Sequence, residues 1–302
     1  MKNIGIDIGG TFIKAAIVEN NGNIIISSKT PTPKEGTLLA DKVIEIIDEI
    51  VKKSATDMNK IKSIGIGAPG VCDSKKGVIV SCPNIEGCKN ISICSYIEKK
   101  TGIPTLLDND ANCAALGEYM VSDKRADSFV FVTLGTGVGG GIILDGKILR
   151  GINSAAGEIG HIVIDRNGER CNCGRYGCWE RYASVSALVR QAKAAGLGQN
   201  VTGKSIFAEK YKGNKRADEV IEKWLSYVSE GICDMVNIFQ SDEIVIGGGI
   251  SREGDAITDS IKRFAEENSI TDKNETRRTK IRVSRLFNDA GVVGASFLYT
   301  QI

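Results

Sequence analysis

The sequence predicts an α/β protein with a duplicated architecture and two lobes. Two stretches, beginning near residues 2 and 128, each read as strand, glycine turn and strand, and alternating helices and strands follow both of them. The chain has 302 residues, which is too long for one simple core. Two lobes of roughly 100–200 residues each are therefore expected.

The elements of the first half follow from apolar periodicity and turn residues. The segments NIGIDIG, FIKAAIVE and NIIISS predict three strands of a meander, with Asn21-Gly22 as a hairpin signal. Apolar residues on one helical face predict an amphipathic helix over 37–53. A buried strand in IKSIGIGAPG, a helix over 91–101, a strand in IPTLLDN and a helix in DANCAALGEYM complete this half.

The second half repeats this order. SFVFVTLGTGVGGGIILDGKIL predicts three strands joined by a glycine turn and by Asp145-Gly146. An irregular cysteine segment, helices near 182–195 and 215–239, a strand in EIVIGGG, a helix from 251, a strand in KIRVSRL and a helix in DAGVVGASFLYT follow. We expect a small N-terminal lobe over 1–118, completed by the C-terminal helix at about 288–302, and a large lobe over 119–287.

Charge and hydropathy argue against several classes of partner. The 39 basic and 37 acidic residues give a net charge of +2, so neither a nucleic acid nor a membrane surface is an expected partner. The N-terminus, MKNIGIDIGG, lacks the features of a signal peptide, and no apolar run approaches the roughly 18–20 residues of a membrane span. We expect a cytoplasmic protein.

Three glycine turns at strand ends are candidate phosphate-binding loops. DIGGT, LGTGVGGG and IGGGIS allow backbone N–H groups to approach a phosphate closely, although any one of them alone could be a plain hairpin. IGGGIS also ends a strand and opens a helix, and a side chain at Gly137 would fill phosphate space and resist a positive φ. Asp7 could hold Mg²⁺. The candidate nucleotide-site residues are Asp7, Gly9, Gly10, Thr11, Thr136, Gly137, Gly139, Gly248 and Gly249.

The segment LLDNDAN supplies a candidate general base. Asn109 and Asp110 stand where a strand gives way to a helix, and a carboxylate there is available to accept a proton from an attacking hydroxyl. A plain N-cap aspartate is the alternative interpretation.

The segment CNCGRYGCWE brings three cysteines close together, ten residues after the only histidine of the chain, His161. A reducing compartment and an odd total of nine cysteines disfavour disulfides. The spacing of Cys171, Cys173 and Cys178 is not a common zinc-finger spacing, so a metal site and ordinary buried thiols both stay open. The other cysteines are interpreted as small apolar packing residues: Cys72, Cys82, Cys88, Cys94, Cys113 and Cys233.

Across essentially the whole chain, the motifs resemble those of the ROK sugar kinases, a family with the hexokinase/actin-like ATPase (ribonuclease H-like) fold. The resemblance rests on DIGGT, LDNDANCAALGE, LGTGVGGG, GEIGH, CNCGRYGCWE and IGGGIS, in this order, and is strongest to bacterial ATP-dependent glucokinases. It implies two lobes closing on a cleft, with ATP between the glycine turns and the sugar at the hinge. A homodimer is usual for the family.

The resemblance also implies roles for individual residues. Asp110 matches the general base, and Glu180 matches the acidic residue that closes the pocket. The residues implied to contact the sugar are Asn84, Asn109, Asp110, Glu158, His161 and Glu180. The implied ligands of a structural Zn²⁺ are His161, Cys171, Cys173 and Cys178, a closed Cys₃His set. The family often has an aromatic residue shortly after PNI, where this chain has EGCKN, which affects the packing around Cys88.

The implied reaction is Mg²⁺-dependent transfer of the ATP γ-phosphoryl group to the primary hydroxyl of a hexose, glucose first. N-acetylmannosamine, N-acetylglucosamine, fructose and allose are alternative acceptors, and ADP or polyphosphate are alternative donors. An actin-like ATPase is a weaker alternative because of the cysteine segment. A sugar-responsive ROK repressor is expected to carry a DNA-binding domain ahead of DIGGT, and here Asp7 is only seven residues from the start.

Overall fold

The computed structural model describes residues 2–82, 85–123, 125–270 and 277–302. The strands in these ranges are β1 Lys2–Ile8, β2 Phe12–Glu19, β3 Ile24–Pro31, β4 Ile61–Ala68, β5 Val71–Asp73, β6 Val78–Ser81, β7 Lys89–Ile91, β8 Thr105–Asn109, β9 Ser128–Leu134, β10 Val138–Leu144, β11 Lys147–Ile148, β12 Glu243–Gly247 and β13 Lys280–Val283. The helices are α1 Leu39–Ser54, α2 Ile93–Thr101, α3 Asp110–Met120, α4 Glu180–Ala183, α5 Val185–Ala194, α6 Gly203–Tyr211, α7 Lys215–Phe239, α8 Asp255–Asn268 and α9 Ala290–Ser296.

The chain divides into two compact units. The first comprises Met1–Arg125, Gly141–Gly157 and Asn288–Ile302, and the second comprises Ala126–Gly140 and Glu158–Phe287. Within the described ranges, every helix is too short or too polar to cross a bilayer.

The first five-stranded sheet has the order β3-β2-β1-β4-β8. β1, β2 and β3 form the predicted antiparallel meander, and β4 and β8 run parallel to β1. The register places Asp7 beside Gly67, and Gly67 beside Asp108, so these residues lie in one row near the carboxyl ends of three parallel strands. Ligands of open α/β sheets bind beyond the carboxyl ends of the strands, so this row of residues borders a candidate ligand site.

Two helices cover this sheet in different ways. The apolar side of α1, including Val43, Ile47 and Ile50, is fully buried, as its period predicts. α9 approaches the strands much more closely: a Cβ added at Gly65 would lie 1.7 Å from the carbonyl oxygen of Ala295. Glycine in β4 is therefore required for α9 to reach the sheet.

The second five-stranded sheet, β11-β10-β9-β12-β13, repeats the arrangement of the first. β12 pairs in parallel with both β9 and β13, as β4 does with β1 and β8. The predicted duplication is confirmed. The helix predicted over 215–239 is also confirmed as α7, which begins after the cap residue Asn214.

Several local expectations were wrong. The helix near 182–195 is interrupted at Ser184, whose hydroxyl oxygen accepts the Ala187 N–H and caps α5. IGGGIS opens a 3-10 turn over Gly249–Glu253, and α8 begins only at Asp255, because Gly254 has φ of +57°. The small sheet β5-β6-β7 and the helix α6 were missed, because their segments are short or lack clear amphipathic periodicity.

Candidate active site and metal centre

Asp7 and Asp110 lie at the carboxyl edge of the sheet of the first unit. Asp7 is the penultimate residue of β1, and Asp110 begins α3. Burial raises the pKa of Asp7 to about 7, the charge of Asp110 adds to this rise, and Lys14 opposes it. Lys14 lies opposite Asp7 on β2 and pairs with Asp289. Two neighbouring carboxylates, one of them desolvated, form a donor set that suits a hard divalent cation such as Mg²⁺.

Asn109 is both the cap of α3 and a candidate hydrogen-bond donor. Its Oδ1 accepts the N–H groups of Ala111 and Asn112 at 2.8 and 3.3 Å, and its Nδ2 donates to the carbonyl oxygen of Gly70 at 3.2 Å. An amide nitrogen carries two hydrogens, so one N–H is left for a ligand. The cap of α3 is therefore Asn109 and not Asp110, and the role of Asp110 as general base stays a prediction.

Two hydrogen bonds to the backbone of Gly9 fix the turn between β1 and β2. The Gly9 N–H donates to the Phe12 carbonyl oxygen at 2.9 Å, and the carbonyl oxygen of Gly9 accepts the Thr32 hydroxyl at 2.7 Å. Gly10 and Thr11 are exposed. The arrangement leaves the tip of this turn accessible to a ligand.

In the second unit, three predicted motifs converge on Val138. Its N–H donates to Glu180 Oε2 at 3.1 Å, and a Cβ added at Gly160 of GEIGH would lie 2.1 Å from its carbonyl oxygen. A Cβ at Gly137 would lie 2.1 Å from the same Glu180 oxygen. The glycine turn, GEIGH and Glu180 are thus parts of one packed site, and Glu158 is exposed beside it.

Two details of the glycine turn differ from expectation. Gly139 lies inside β10, because the turn is shorter than the motif: the Gly135 N–H donates to the Gly137 carbonyl and closes it. The backbone of Gly137 lies outside the left-handed region, so this glycine is required by the contact with Glu180 and not by a positive φ.

The third turn does require its glycine. Gly248 has φ of +88°, and a Cβ there would lie 2.1 Å from the carbonyl oxygen of Leu134. This approach brings the second and third turns to the same cavity, which has a volume of about 610 Å³. The cavity is also bordered by α5 and by the start of α6, and its lining includes Thr136, Val189, Lys204, Gly249 and Arg252.

The single histidine and the three clustered cysteines form a candidate metal centre. Their donor atoms all lie within 4.8 Å of one another, with His161 Nδ1 at 3.7 Å from Cys171 Sγ and Cys173 Sγ at 3.6 Å from Cys178 Sγ. Zn–S bonds of about 2.3 Å in a tetrahedron place ligand atoms about 3.8 Å apart. The four residues fit structural zinc, and the nine cysteines, all within the described ranges, form no disulfide.

The loop that carries the cysteines is anchored to the rest of the second unit. Gly177 has φ of +72°, and a Cβ there would lie 1.5 Å from the carbonyl oxygen of Asp165. Trp179 is fully buried and donates its Nε1–H to the Tyr227 carbonyl of α7 at 2.7 Å. Gly231 makes room for its ring. Three consecutive residues therefore connect three parts of this unit: Cys178 belongs to the metal centre, Trp179 to the core, and Glu180 to the site at Val138.

The other cysteines and Asn84 are the remaining residues that the sequence singled out. The six other cysteines are buried, at 6% exposure or less, as their interpretation as packing residues requires. Asn84 lies outside the described residues. Lys14, Asp108 and Arg150 were not predicted from the sequence. The alternation of β2 was an available signal for Lys14, and the acidic residue before Asn109 was one for Asp108.

The chain is similar along its whole length to proteins of one family. The ROK family model matches residues 3–302. A glucokinase of Halalkalibacterium halodurans is 35% identical, over 99% of this chain and 94% of the relative. A solved ROK family glucokinase from Streptomyces griseus, in complex with glucose and AMPPNP, is 32% identical with a TM-score of 0.84, over 99% of both chains. A ROK family transcriptional regulator, a homolog of the E. coli MLC protein, is 28% identical with a TM-score of 0.87, over 99% of this chain and 78% of the regulator.

The duplicated sheets and these structural matches define the fold as the actin-like ATPase fold, as expected. The match over residues 3–302 goes further: this chain belongs to the ROK family.

Proposed function

We propose that this protein transfers the γ-phosphoryl group of ATP to the primary hydroxyl of a hexose, with glucose as the preferred acceptor. The observation that carries the proposal is the pair of carboxylates, Asp7 and Asp110, at the carboxyl edge of a sheet in a chain 35% identical to a glucokinase. The glucose and AMPPNP bound to the Streptomyces griseus relative support the same substrates.

In the proposed reaction Asp110 is the general base. The hexose hydroxyl oxygen attacks the γ-phosphorus, the bond from this phosphorus to the ADP oxygen breaks, and the hydroxyl proton passes to the Asp110 carboxylate. Asp110 is half-buried at the first position of α3, and its Oδ1 accepts the N–H of Ala111 at 2.8 Å. This contact fixes the orientation of the carboxylate at the first position of α3.

The phosphate groups are assigned to the glycine turns, whose backbone amides would stabilise the developing charge. Mg²⁺ would be held at Asp7, directly or through water, and would supply charge neutralisation to the phosphates. The cavity of about 610 Å³ beside Thr136 and Gly249 is assigned to the nucleoside part of ATP. Lys14, opposite Asp7, adds a positive charge near the same carboxylate.

Sugar recognition is assigned to residues with complementary hydrogen-bonding roles. The remaining N–H of Asn109 would donate to a hydroxyl oxygen, while Glu158 and Glu180 would accept from hydroxyl groups. His161 faces the thiols with Nδ1, which leaves Nε2 for the sugar. Asn84 is a further proposed contact. A wrong epimer would leave such groups unpaired, which is the physical basis of specificity.

A structural Zn²⁺ is assigned to His161, Cys171, Cys173 and Cys178. When bound, it would cross-link the cysteine loop and hold the ring of His161 in one orientation. Because Cys178 and Glu180 are separated only by the buried Trp179, the same cross-link would hold Glu180 in place. We assign the protein to the cytoplasm on its sequence features and propose a homodimer on its family resemblance. Light scattering of the purified protein tests the oligomeric state.

The test is a coupled assay of ADP release with purified protein, ATP, Mg²⁺ and a panel of acceptors. Glucose is expected to have a kcat/KM above those of fructose, allose, N-acetylglucosamine and N-acetylmannosamine. A higher value for an N-acetylated sugar would overturn the glucose assignment, and no turnover with any hexose would overturn the kinase assignment. ADP and polyphosphate replace ATP in parallel reactions, where lower rates are expected.

A further inference from the structure

A buried carboxylate stands directly before the proposed sugar and base residues. Asp108, in β8, is 1% exposed, and its two oxygens accept three hydrogen bonds. Oδ1 accepts the Asn109 N–H and the Asn112 Nδ2–H, both at 2.8 Å, and Oδ2 accepts the Nε–H of Arg150 at 2.7 Å. Asp108 itself is too enclosed to be a second base.

These contacts hold Asp110 from both sides. The Asn109 N–H belongs to the residue before it, and Asn112 lies in the first turn of α3 after it. A change in the position of Asp108 would therefore move both the cap of α3 and the first residue of the helix. Displacements of about 1 Å at a catalytic group can lower the rate about 10²-fold.

Arg150 connects this carboxylate to a second segment of the first unit. Its side chain is only 25% exposed and pairs with Asp108, while its carbonyl oxygen accepts the Ala156 N–H at 3.0 Å. Ser154 lies 3.3 Å from Ser74, hydroxyl to hydroxyl, which fixes the same segment again. The chain then continues through Gly157 to Glu158, one of the proposed sugar contacts.

We propose that Asp108 and Arg150 are positioning residues, which together fix the orientation of Asn109 and Asp110 and the path of residues 150–157 toward Glu158. The inference rests on the proposed kinase function. A buried ion pair contributes little net stability compared with a well-packed apolar pair. Its geometry, with three directed hydrogen bonds, instead defines where the first turn of α3 begins.

The test compares the wild type with Arg150→Lys and with the double variant Asp108→Asn/Arg150→Met. Lysine keeps the charge but lacks the Nε–H. The double variant removes both charges, and the amide oxygen introduced at position 108 can still accept the Asn109 and Asn112 bonds, so it is expected to fold. It loses the Arg150 bond to Oδ2, which fixes the orientation of this side chain and, through it, the first turn of α3. We expect kcat to fall about 10-fold for Arg150→Lys and about 10²-fold for the double variant. The KM for ATP should stay within about 2-fold of the wild-type value.

Arg282→Lys is the matched control. Arg282 pairs with Glu243 through Nε–H and Nη2–H at 2.9 and 3.2 Å, and both residues are largely buried. Glu243 begins β12, about 16 Å along the chain from Gly248. The control is expected to lower Tm as much as Arg150→Lys does while keeping the wild-type kcat, because a purely structural ion pair changes only stability.

The outcomes separate the two proposals. A wild-type protein that phosphorylates no hexose would overturn the proposed function. An active wild type, together with a folded double variant that keeps its kcat within about 2-fold, would overturn the positioning role alone. The same conclusion would follow if the variants lost activity only in proportion to the loss of folded protein measured by circular dichroism.

Discussion

The contact between Gly137 and Glu180 gives the sharpest prediction for the second unit. In Gly137→Ala the new methyl group would lie 2.1 Å from Glu180 Oε2, so the carboxylate must retreat by about 1.3 Å to an ordinary contact of 3.4 Å. It would then leave the Val138 N–H and its proposed sugar hydroxyl. A hydrogen bond to a charged group contributes about 1.5–3 kcal/mol, so glucose affinity should fall about 10- to 100-fold.

The prediction is specific to the sugar. The expectation that a side chain at Gly137 fills phosphate space is revised, because the added Cβ points at Glu180. The KM for ATP should therefore change by less than about 3-fold. The obstacle is the end of a flexible side chain, and the free energy of unfolding should fall by no more than about 1 kcal/mol. Calorimetry with glucose and the coupled assay with ATP measure both effects.

Gly135→Ala is the control for this experiment. A Cβ at Gly135 has nothing within 4 Å, and its φ lies outside the left-handed region. This variant should bind glucose as the wild type does. If Gly137→Ala keeps glucose affinity within twofold and instead raises the KM for ATP, the reasoning about Glu180 is refuted.

Three further predictions concern the metal centre, the cap and the core. Cys173→Ala should lose the stoichiometric zinc of the wild type by elemental analysis, lower Tm and weaken glucose binding, with nucleotide affinity retained; unchanged glucose affinity without zinc would refute the coupling. Asn109→Ser should keep the cap, so its free energy of unfolding should stay within about 0.5 kcal/mol of the wild-type value. It should nevertheless bind glucose as weakly as Asn109→Ala, which also loses the cap and is less stable. Gly65→Ala should lower the free energy of unfolding in urea by about 1–3 kcal/mol, because its Cβ meets the Ala295 carbonyl at 1.7 Å; an unchanged midpoint would contradict that contact.

Much of the fold could be predicted because local patterns agree with the global architecture. The alternation of apolar residues predicts the strands β1 to β3. The helical periodicity that continues over the 25 residues of α7 predicts that helix. Elements without a clear local pattern, which are buried only because neighbouring elements pack on them, could not be predicted in this way. α6 has little amphipathic character, and the break at Ser184 depends on a side-chain cap that competes with a continuous helix.

The candidate site shows the same division. The single histidine and the clustered cysteines made the metal centre visible, because few other arrangements use those residues together. The convergence on Val138 and the ion pair of Asp108 with Arg150 join residues 42 positions apart in the chain. Such contacts depend on strand order and register, and neither residue pair forms a motif.

The measurement that tests the central claim most directly is the turnover of Asp110→Asn with glucose and ATP. As general base, Asp110 acts in the transition state, so kcat should fall about 10²–10⁴-fold while the Kd for glucose, measured by calorimetry, stays within about 3-fold. Asp57→Asn, which keeps the cap of a distant turn, serves as the control. A variant that keeps more than half of the wild-type kcat would contradict the account.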